Sequence, residues 1–357
     1  KKSSKHYLIF GKGLGSLAIK KNSQLNFGNS GTLARLILGI LSTTPGIEVK
    51  ITGDHSLNKR SMRKLIELLS EFGACFLPKG KNYLPMKMIS SDLPVGINYN
   101  AGVSAQLKSA VIFAGLNSYG NTTILEKSKS RDHTENLISG NKDSIKIKKG
   151  VKNFIKVFGK KELKKNEIFV PGDPSSAAFF AALTLLNKSS YLNIKNVGLN
   201  SSRVGFYKLL KKFGAKIKFK NLKKINNEVR GNIEIQSSEI KPIKAASKYY
   251  VNTTDEYPIL FVIAALIKGT SVFSGISDLA NKESNRILEM QKILKQVGVK
   301  TKAFKNQLKI FGRGMFDATN KSILVPNLGD HRICMSSFVL ASLTGAKTKI
   351  KNVENIV

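Results

Sequence analysis

Five stretches of the chain set small or hydroxyl-bearing residues directly before an apolar run rich in Ala and Leu. They are QLNFGNSGTLARLILGIL (24–41), INYNAGVSAQLKSAVIFAGL (97–116), EIFVPGDPSSAAFFAALTLL (167–186), YYVNTTDEYPILFVIAALI (249–267) and ILVPNLGDHRICMSSFVLASL (323–341). Each reads as a short extended run, a turn and the head of a buried helix. A helix N-terminus presents N–H donors without partners and partial positive charge, so such heads suit anions. Capping is the competing explanation for Asn29, Ser175, Ser176 and Thr254, because Ser, Thr, Asp and Asn cap helices in any protein. Ser104 and Gln106 ask for more, since a Gln just inside an apolar helix needs a polar partner. Arg35, four residues into its apolar helix, predicts a buried charge held by a carboxylate, or the wall of an anion site.

Charged clusters at turns add to these heads. GDHSLNKRSM (53–62) puts Arg60 before an amphipathic helix, and KSRDHTENL (129–137) brings Arg131, Asp132 and His133 to a helix start. NKESNR (281–286) supplies Lys282, Glu283 and Arg286, and GDHR (329–332) puts Arg332 at the last head. A charged run by itself is usually a solvated face. Only nine of the 59 basic residues are arginine, however, and Arg35, Arg60, Arg131, Arg286 and Arg332 all stand at such heads. That bias suits planar recognition of phosphate or carboxylate. Asp255 and Glu283 are the carboxylates placed for acid–base work, because neighbouring cations at helix heads tune their pKa. Scattered histidines with no HxH or HExxH spacing argue against a metal site. No GxSxG occurs and neither cysteine sits at a helix head in basic company, which argues against nucleophilic Ser or Cys catalysis.

The elements that must carry these residues alternate between two kinds of helix. Besides the apolar runs, three amphipathic segments end on a glycine before a further strand: SMRKLIELLSEFGACF (61–76), SRVGFYKLLKKFGAKIKF (202–219) and NRILEMQKILKQVGVKTKAF (285–304). Gly73, Gly214 and Gly298 fit the position just past a helix end. Buried helices alternating with amphipathic ones through short strands predict an α/β fold. At 357 residues two domains are expected. The lysine-rich stretch 159–167 marks their joint, giving domains at 1–166 and 167–357.

A net charge of +36 raises nucleic acid as a partner. Lysines spread over the whole length, with few arginines, suit solvated faces better than a phosphate-tracking groove, and small anionic substrates fit equally well. No apolar run is long enough to predict a membrane span. Cys75 and Cys334, both flanked by apolar residues, are expected as buried thiols in a reducing compartment, the cytoplasm.

At these same clusters the chain resembles the EPSP synthase (3-phosphoshikimate 1-carboxyvinyltransferase) family. GNSGTLARL, GDHSLNKRSM, SAQLKSAVIFAGL, SRDHTENL, VPGDPSSAAFF, DEYPILFVIAA, NKESNR and GDHRICM follow the family's order across nearly the whole length. The resemblance implies a two-domain inside-out α/β barrel built from βαβαββ units with buried central helices. It implies transfer of the enolpyruvyl group of phosphoenolpyruvate to the 5-hydroxyl of shikimate 3-phosphate through a tetrahedral intermediate, with no metal, no organic cofactor and a monomeric protein. Ser104, Ala105, Gln106, Arg131, Asp255 and Lys282 resemble the family's contacts to shikimate 3-phosphate, with Ser130 beside them. Gly31, Arg60, Gln106, Arg286 and Arg332 resemble those to phosphoenolpyruvate. Asp255 matches the base on the hydroxyl, and Glu283 shares proton transfer.

The family carries six buried-helix units where five are counted here. A first unit, with a lysine, a serine and an arginine in its head, and a C-terminal phosphate-binding lysine are therefore expected outside residues 1–357, and residues 1–357 alone are expected to turn over little or not at all. Asn285 stands where the family has aspartate, which is expected to weaken a carboxylate contact to the neighbouring arginine. Ser61 and Leu36 stand where prolines occur. The sister transferase acting on UDP-N-acetylglucosamine carries a loop cysteine near an arginine, a role that neither Cys75 nor Cys334 fits.

Overall fold

The computed structural model of the chain describes residues 7–20, 22–165 and 167–351, which divide into two units between Glu167 and Ile168. The first unit holds two copies of one βαβαββ order. The first copy runs β1 (Gln24–Asn26), α1 (Gly31–Leu41), β2 (Glu48–Thr52), a short α2 (His55–Asn58), α3 (Arg63–Glu71), β3 (Cys75–Leu77) and β4 (Met86–Ile89). The second runs β5 (Asn98–Ala101), α4 (Ala105–Asn117), β6 (Asn121–Glu126), α5 (His133–Ile138), β7 (Ile145–Lys148) and β8 (Asn153–Phe158). Their sheets have the same plan, β1-β2-β4-β3 and β5-β6-β8-β7, with the strands flanking the apolar helix parallel and the rest antiparallel.

The second unit repeats the plan. Gly172 bridges in parallel to Val197 where a first strand would stand, followed by α6 (Pro174–Leu186), β9 (Tyr191–Gly198), α7 (Gly205–Lys212), β10 (Lys216–Ile225) and β11 (Glu228–Gln236). Next come β12 (Lys244–Ala245), α8 (Tyr250–Thr253), α9 (Tyr257–Leu266), β13 (Lys268–Ser274), α10 (Arg286–Gln296), β14 (Lys300–Phe304) and β15 (Gln307–Arg313), in sheet order β12-β13-β15-β14. The parallel pair β16 (Ser322–Val325) and β17 (Lys347–Ile350) encloses α11 (His331–Thr344). Among the described residues no helix is long and apolar enough to cross a membrane.

The five apolar runs are α1, α4, α6, α9 and α11, but they are not equally enclosed: α1 buries Gly31, Ala34, Leu38, Gly39 and Leu41 and leaves Leu33 exposed. All ten residues of α9 are buried, as a helix apolar on every side requires. In unit 1, α1 and α4 approach so closely at Gly39 that a Cβ there would stand 2.4 Å from the Ala110 carbonyl oxygen. In unit 2, α6, α9 and α11 pack on one another. The amphipathic helices α3, α7 and α10 bury one stripe each, Leu65, Leu68 and Leu69 in α3. Gly73, Gly214 and Gly298 follow them at φ +98°, +106° and +81°, a conformation that a Cβ disfavours.

Two expectations are corrected here. The run YYVNT is helical rather than extended, because the Tyr250 ring stacks on Tyr257 while its hydroxyl donates to Asp278; the extended piece lies earlier, at β12. Cys75 is exposed, although Cys334 is buried as expected. Strand alternation explains the difference, since Phe76 takes the inner face of β3 and leaves Cys75 and Leu77 outside.

Candidate active site

In unit 1 the heads of α1 and α4 lie side by side, because the two helices run in the same sense past the Gly39–Ala110 approach. Gln106 finds there the polar partner its place demands, donating from Nε2 to Thr32 Oγ1 at 2.7 Å. Ser104 caps α4 by accepting from Leu107 N at 3.4 Å. At the head of α1 the cap is Ser30, not Asn29. Asn29 is drawn away by partners distant in sequence: it donates to Asp54 Oδ2 at 2.7 Å and accepts from Arg60 Nη2 at 3.0 Å. Asp54 is itself fixed as the cap of α2. Arg60 also donates to Ser56 Oγ at 3.2 Å, so its guanidinium is aimed by both flanking segments.

Arg60 and Arg35 converge on Gly31. A Cβ at Gly31 would stand 2.6 Å from Arg35 Nη1 and 3.1 Å from Arg60 Nη1. Two guanidiniums around a helix head that has no side chain form a cradle for an anion. Arg35 is half-buried rather than enclosed, and its Nη1 donates to Gly31 O one turn back at 3.0 Å, a placement that suits the second of its two expected roles, the wall of an anion site. An arginine side chain leans toward the helix N-terminus, which carries its charged end out of the apolar core.

In unit 2 the organising group is Arg286, 1% exposed at the start of α10. Its Nε donates to Asp330 Oδ2 at 3.0 Å, and its Nη2 donates to Glu283 Oε2 at 2.7 Å. Asp255 Oδ1 stands 3.7 Å from Nη1, which is buried and makes no hydrogen bond. Burial pushes the guanidinium pKa down, but Asp330, Glu283 and Asp255 outweigh it and leave it raised. Burial likewise pushes the Asp330 carboxyl up, and the Arg286 charge and hydrogen bonds hold it below its ordinary value. Asp330 is fully enclosed, caps α11 through Arg332 N and accepts from Ser284 Oγ. Asp255 and Glu283 keep 23% of their side-chain surface, so they are the two carboxylates of this cluster that a reactant can reach.

Arg332, Lys282 and Asn285 adjoin the residues of the Arg286 cluster in sequence. Arg332 stands two residues after Asp330, to which its backbone N–H donates, and is half-buried. Lys282 pairs with Asp278 at 2.7 Å, an oxygen that also accepts from Tyr250 OH. Asn285 caps α10, and the carboxylates on Arg286 come from Asp255, Glu283 and Asp330. Ser175, Ser176 and Thr254 are not caps either. Asp173 caps α6, the Ser175 hydroxyl donates to Glu256, and Thr254 bonds back to Tyr250 O. Two functional features were missed from sequence. Asp330 lay inside the quoted GDHR, and Lys108 carried the signal already noted for Arg35, a cation inside an apolar helix.

Residues 2–357 match the sequence model of EPSP synthase (3-phosphoshikimate 1-carboxyvinyltransferase). A 3-phosphoshikimate 1-carboxyvinyltransferase of Zymomonas mobilis is 38% identical over 340 residues, 94% of this chain and 74% of the relative. The chain belongs to the EPSP synthase family. The solved EPSP synthase of Acinetobacter baumannii superposes with a TM-score of 0.77 at 31% identity, over 94% of this chain and 76% of that one. The enolpyruvyl transferase NikO from Streptomyces tendae, at 14% identity and a TM-score of 0.63 over 90% of this chain and 72% of its own, shares the fold. The repeated βαβαββ plan, with its buried helices, is thus the EPSP synthase architecture, as the sequence resemblance implied.

Proposed function

We propose that the protein transfers the enolpyruvyl group of phosphoenolpyruvate to the 5-hydroxyl of shikimate 3-phosphate and releases inorganic phosphate. The observation that carries the proposal, beside family membership, is the buried Arg286 with two accessible carboxylates on it, Asp255 and Glu283. The addition needs a base for the hydroxyl and an acid for C3 of the enol, next to a cation that holds the donor's negative groups. Asp255 takes the hydroxyl proton as its oxygen bonds to C2, and Glu283 shares delivery of a proton to C3. In the second step C3 gives up a proton, the C2–O bond to phosphate breaks and the double bond re-forms.

Gly31, Arg60, Gln106, Arg286 and Arg332 meet phosphoenolpyruvate, and Ser104, Ala105, Gln106, Arg131, Asp255 and Lys282 meet shikimate 3-phosphate. No step calls for a metal or organic cofactor. In this proposal the protein works as a monomer in the cytoplasm. The test is phosphate release by the protein expressed from its complete reading frame, which is expected only when both substrates are present. Release from phosphoenolpyruvate alone would contradict the proposal.

The Gly31 cradle carries its own prediction. In Gly31→Ala the new methyl meets the tips of two flexible side chains, so the helix survives. The guanidiniums must retreat, and the Michaelis constant for phosphoenolpyruvate is expected to rise about tenfold, the equivalent of ~1.4 kcal/mol. Unchanged steady-state kinetics in the variant would show that Gly31 does not face the donor.

A further inference from the structure

Lys108 lies in α4 one turn beyond Ser104, whose carbonyl accepts its N–H, and its side chain is fully enclosed. Its ammonium holds Glu126 Oε1 at 2.7 Å and Glu135 Oε1 at 2.5 Å. Glu126 ends β6 and Glu135 lies in α5, so the segment joining these elements is tied at both ends to one buried cation. That segment contains Ser130 and Arg131. Glu126 Oε1 also accepts from Ser130 N at 2.9 Å and from Ser130 Oγ at 2.7 Å, while Asn153 Nδ2 donates to Oε2 at 2.7 Å.

Such a cluster is costly for stability alone, because three charges leave water for one net negative charge. Burial pushes both carboxyls up; the bonds from Lys108 and Ser130 bring Glu126 below its ordinary value, whereas Glu135 stays above it. The Ser130 hydroxyl donates to Glu126 Oε1. That commits the only hydroxyl proton of Ser130 inward and fixes the backbone on which Arg131 follows.

We propose that Glu126 is a positioning residue for Arg131. Through Lys108 and Ser130 it locks the segment carrying Arg131 to the helix whose head carries Ser104, Ala105 and Gln106. The inference rests on the assignment of Arg131 to shikimate 3-phosphate. Glu126→Gln tests it without dismantling the fold, because Lys108 and Glu135 then remain as a one-to-one pair.

The measurement is calorimetric binding of shikimate 3-phosphate to the full-length protein, for wild type, Glu126→Gln, Arg131→Ala and the double variant. Glu126→Gln is expected to bind about tenfold more weakly than wild type, and the double variant no more weakly than Arg131→Ala, the non-additivity of groups acting through one another. A role in folding alone would weaken both backgrounds equally, and that result overturns the proposal. Equal affinity of Glu126→Gln and wild type overturns it too. If wild type itself does not bind, the substrate assignment fails and this inference with it. Should Glu126→Gln not fold, Ser130→Ala takes its place. It is expected to weaken binding about threefold, an effect that Ser130→Thr restores and that is absent in the Arg131→Ala background.

Discussion

Asp255→Asn is expected to lower kcat by about 100- to 10,000-fold, the usual contribution of a positioned general base. The amide keeps the shape of the carboxylate but cannot take the hydroxyl proton. Folding should be little affected, because Arg286 keeps Asp330 and Glu283, both nearer to it than the 3.7 Å that separates it from Asp255. Substrate affinities should therefore change far less than turnover, a split that phosphate release and calorimetric binding resolve together. A kcat within about tenfold of wild type would move the base role away from Asp255.

Arg286→Met should be the most damaging single change to unit 2. It leaves Asp330, with no exposed side-chain surface, as a buried charge without its cation, at ~3–5 kcal/mol. It also removes the contact to phosphoenolpyruvate proposed for Arg286, so turnover is expected to vanish even where the protein remains folded. The pH dependence of the loss identifies its cause. In wild type the Asp330 carboxyl is held below its unfolded value of ~3.9, so its contribution is present above that pH and is lost as pH falls through the folded value. Without the guanidinium, burial pushes the same carboxyl up, and acid relieves the variant by protonating it. The stability gap between wild type and Arg286→Met, read from urea unfolding, should thus be smaller at pH 4.5 than at pH 7. A constant gap would mean that lost packing, not the stranded charge, is responsible.

How far the sequence could be read depended on whether a feature is local. Which residue caps a helix was legible only in part. Polar residues crowd each head, and the choice among them is made by partners elsewhere. Asn29 leaves the cap to Ser30 because Asp54 and Arg60, 25 and 31 positions away, claim its amide. Ser175 is likewise claimed by Glu256, 81 positions away. The apolar neighbours of Arg35 left two readings, a buried charge or the wall of an anion site, and only the structure shows the side chain half-buried and reaching back to the helix head.

The sequence by itself determined the alternation of buried and amphipathic helices, the glycine stops at 73, 214 and 298, and the gathering of scarce arginines at helix heads. These follow from periodicity and backbone freedom, which act over a few residues. Only the tertiary structure decided the charge partners: Asp330 for Arg286 across 44 positions, and Glu126 for Lys108 across 18. In a chain with 50 lysines and nine arginines, any carboxylate has many possible cations in sequence. Burial removes the choice, because a charge enclosed by packed helices is tolerated only where one particular opposite charge meets it.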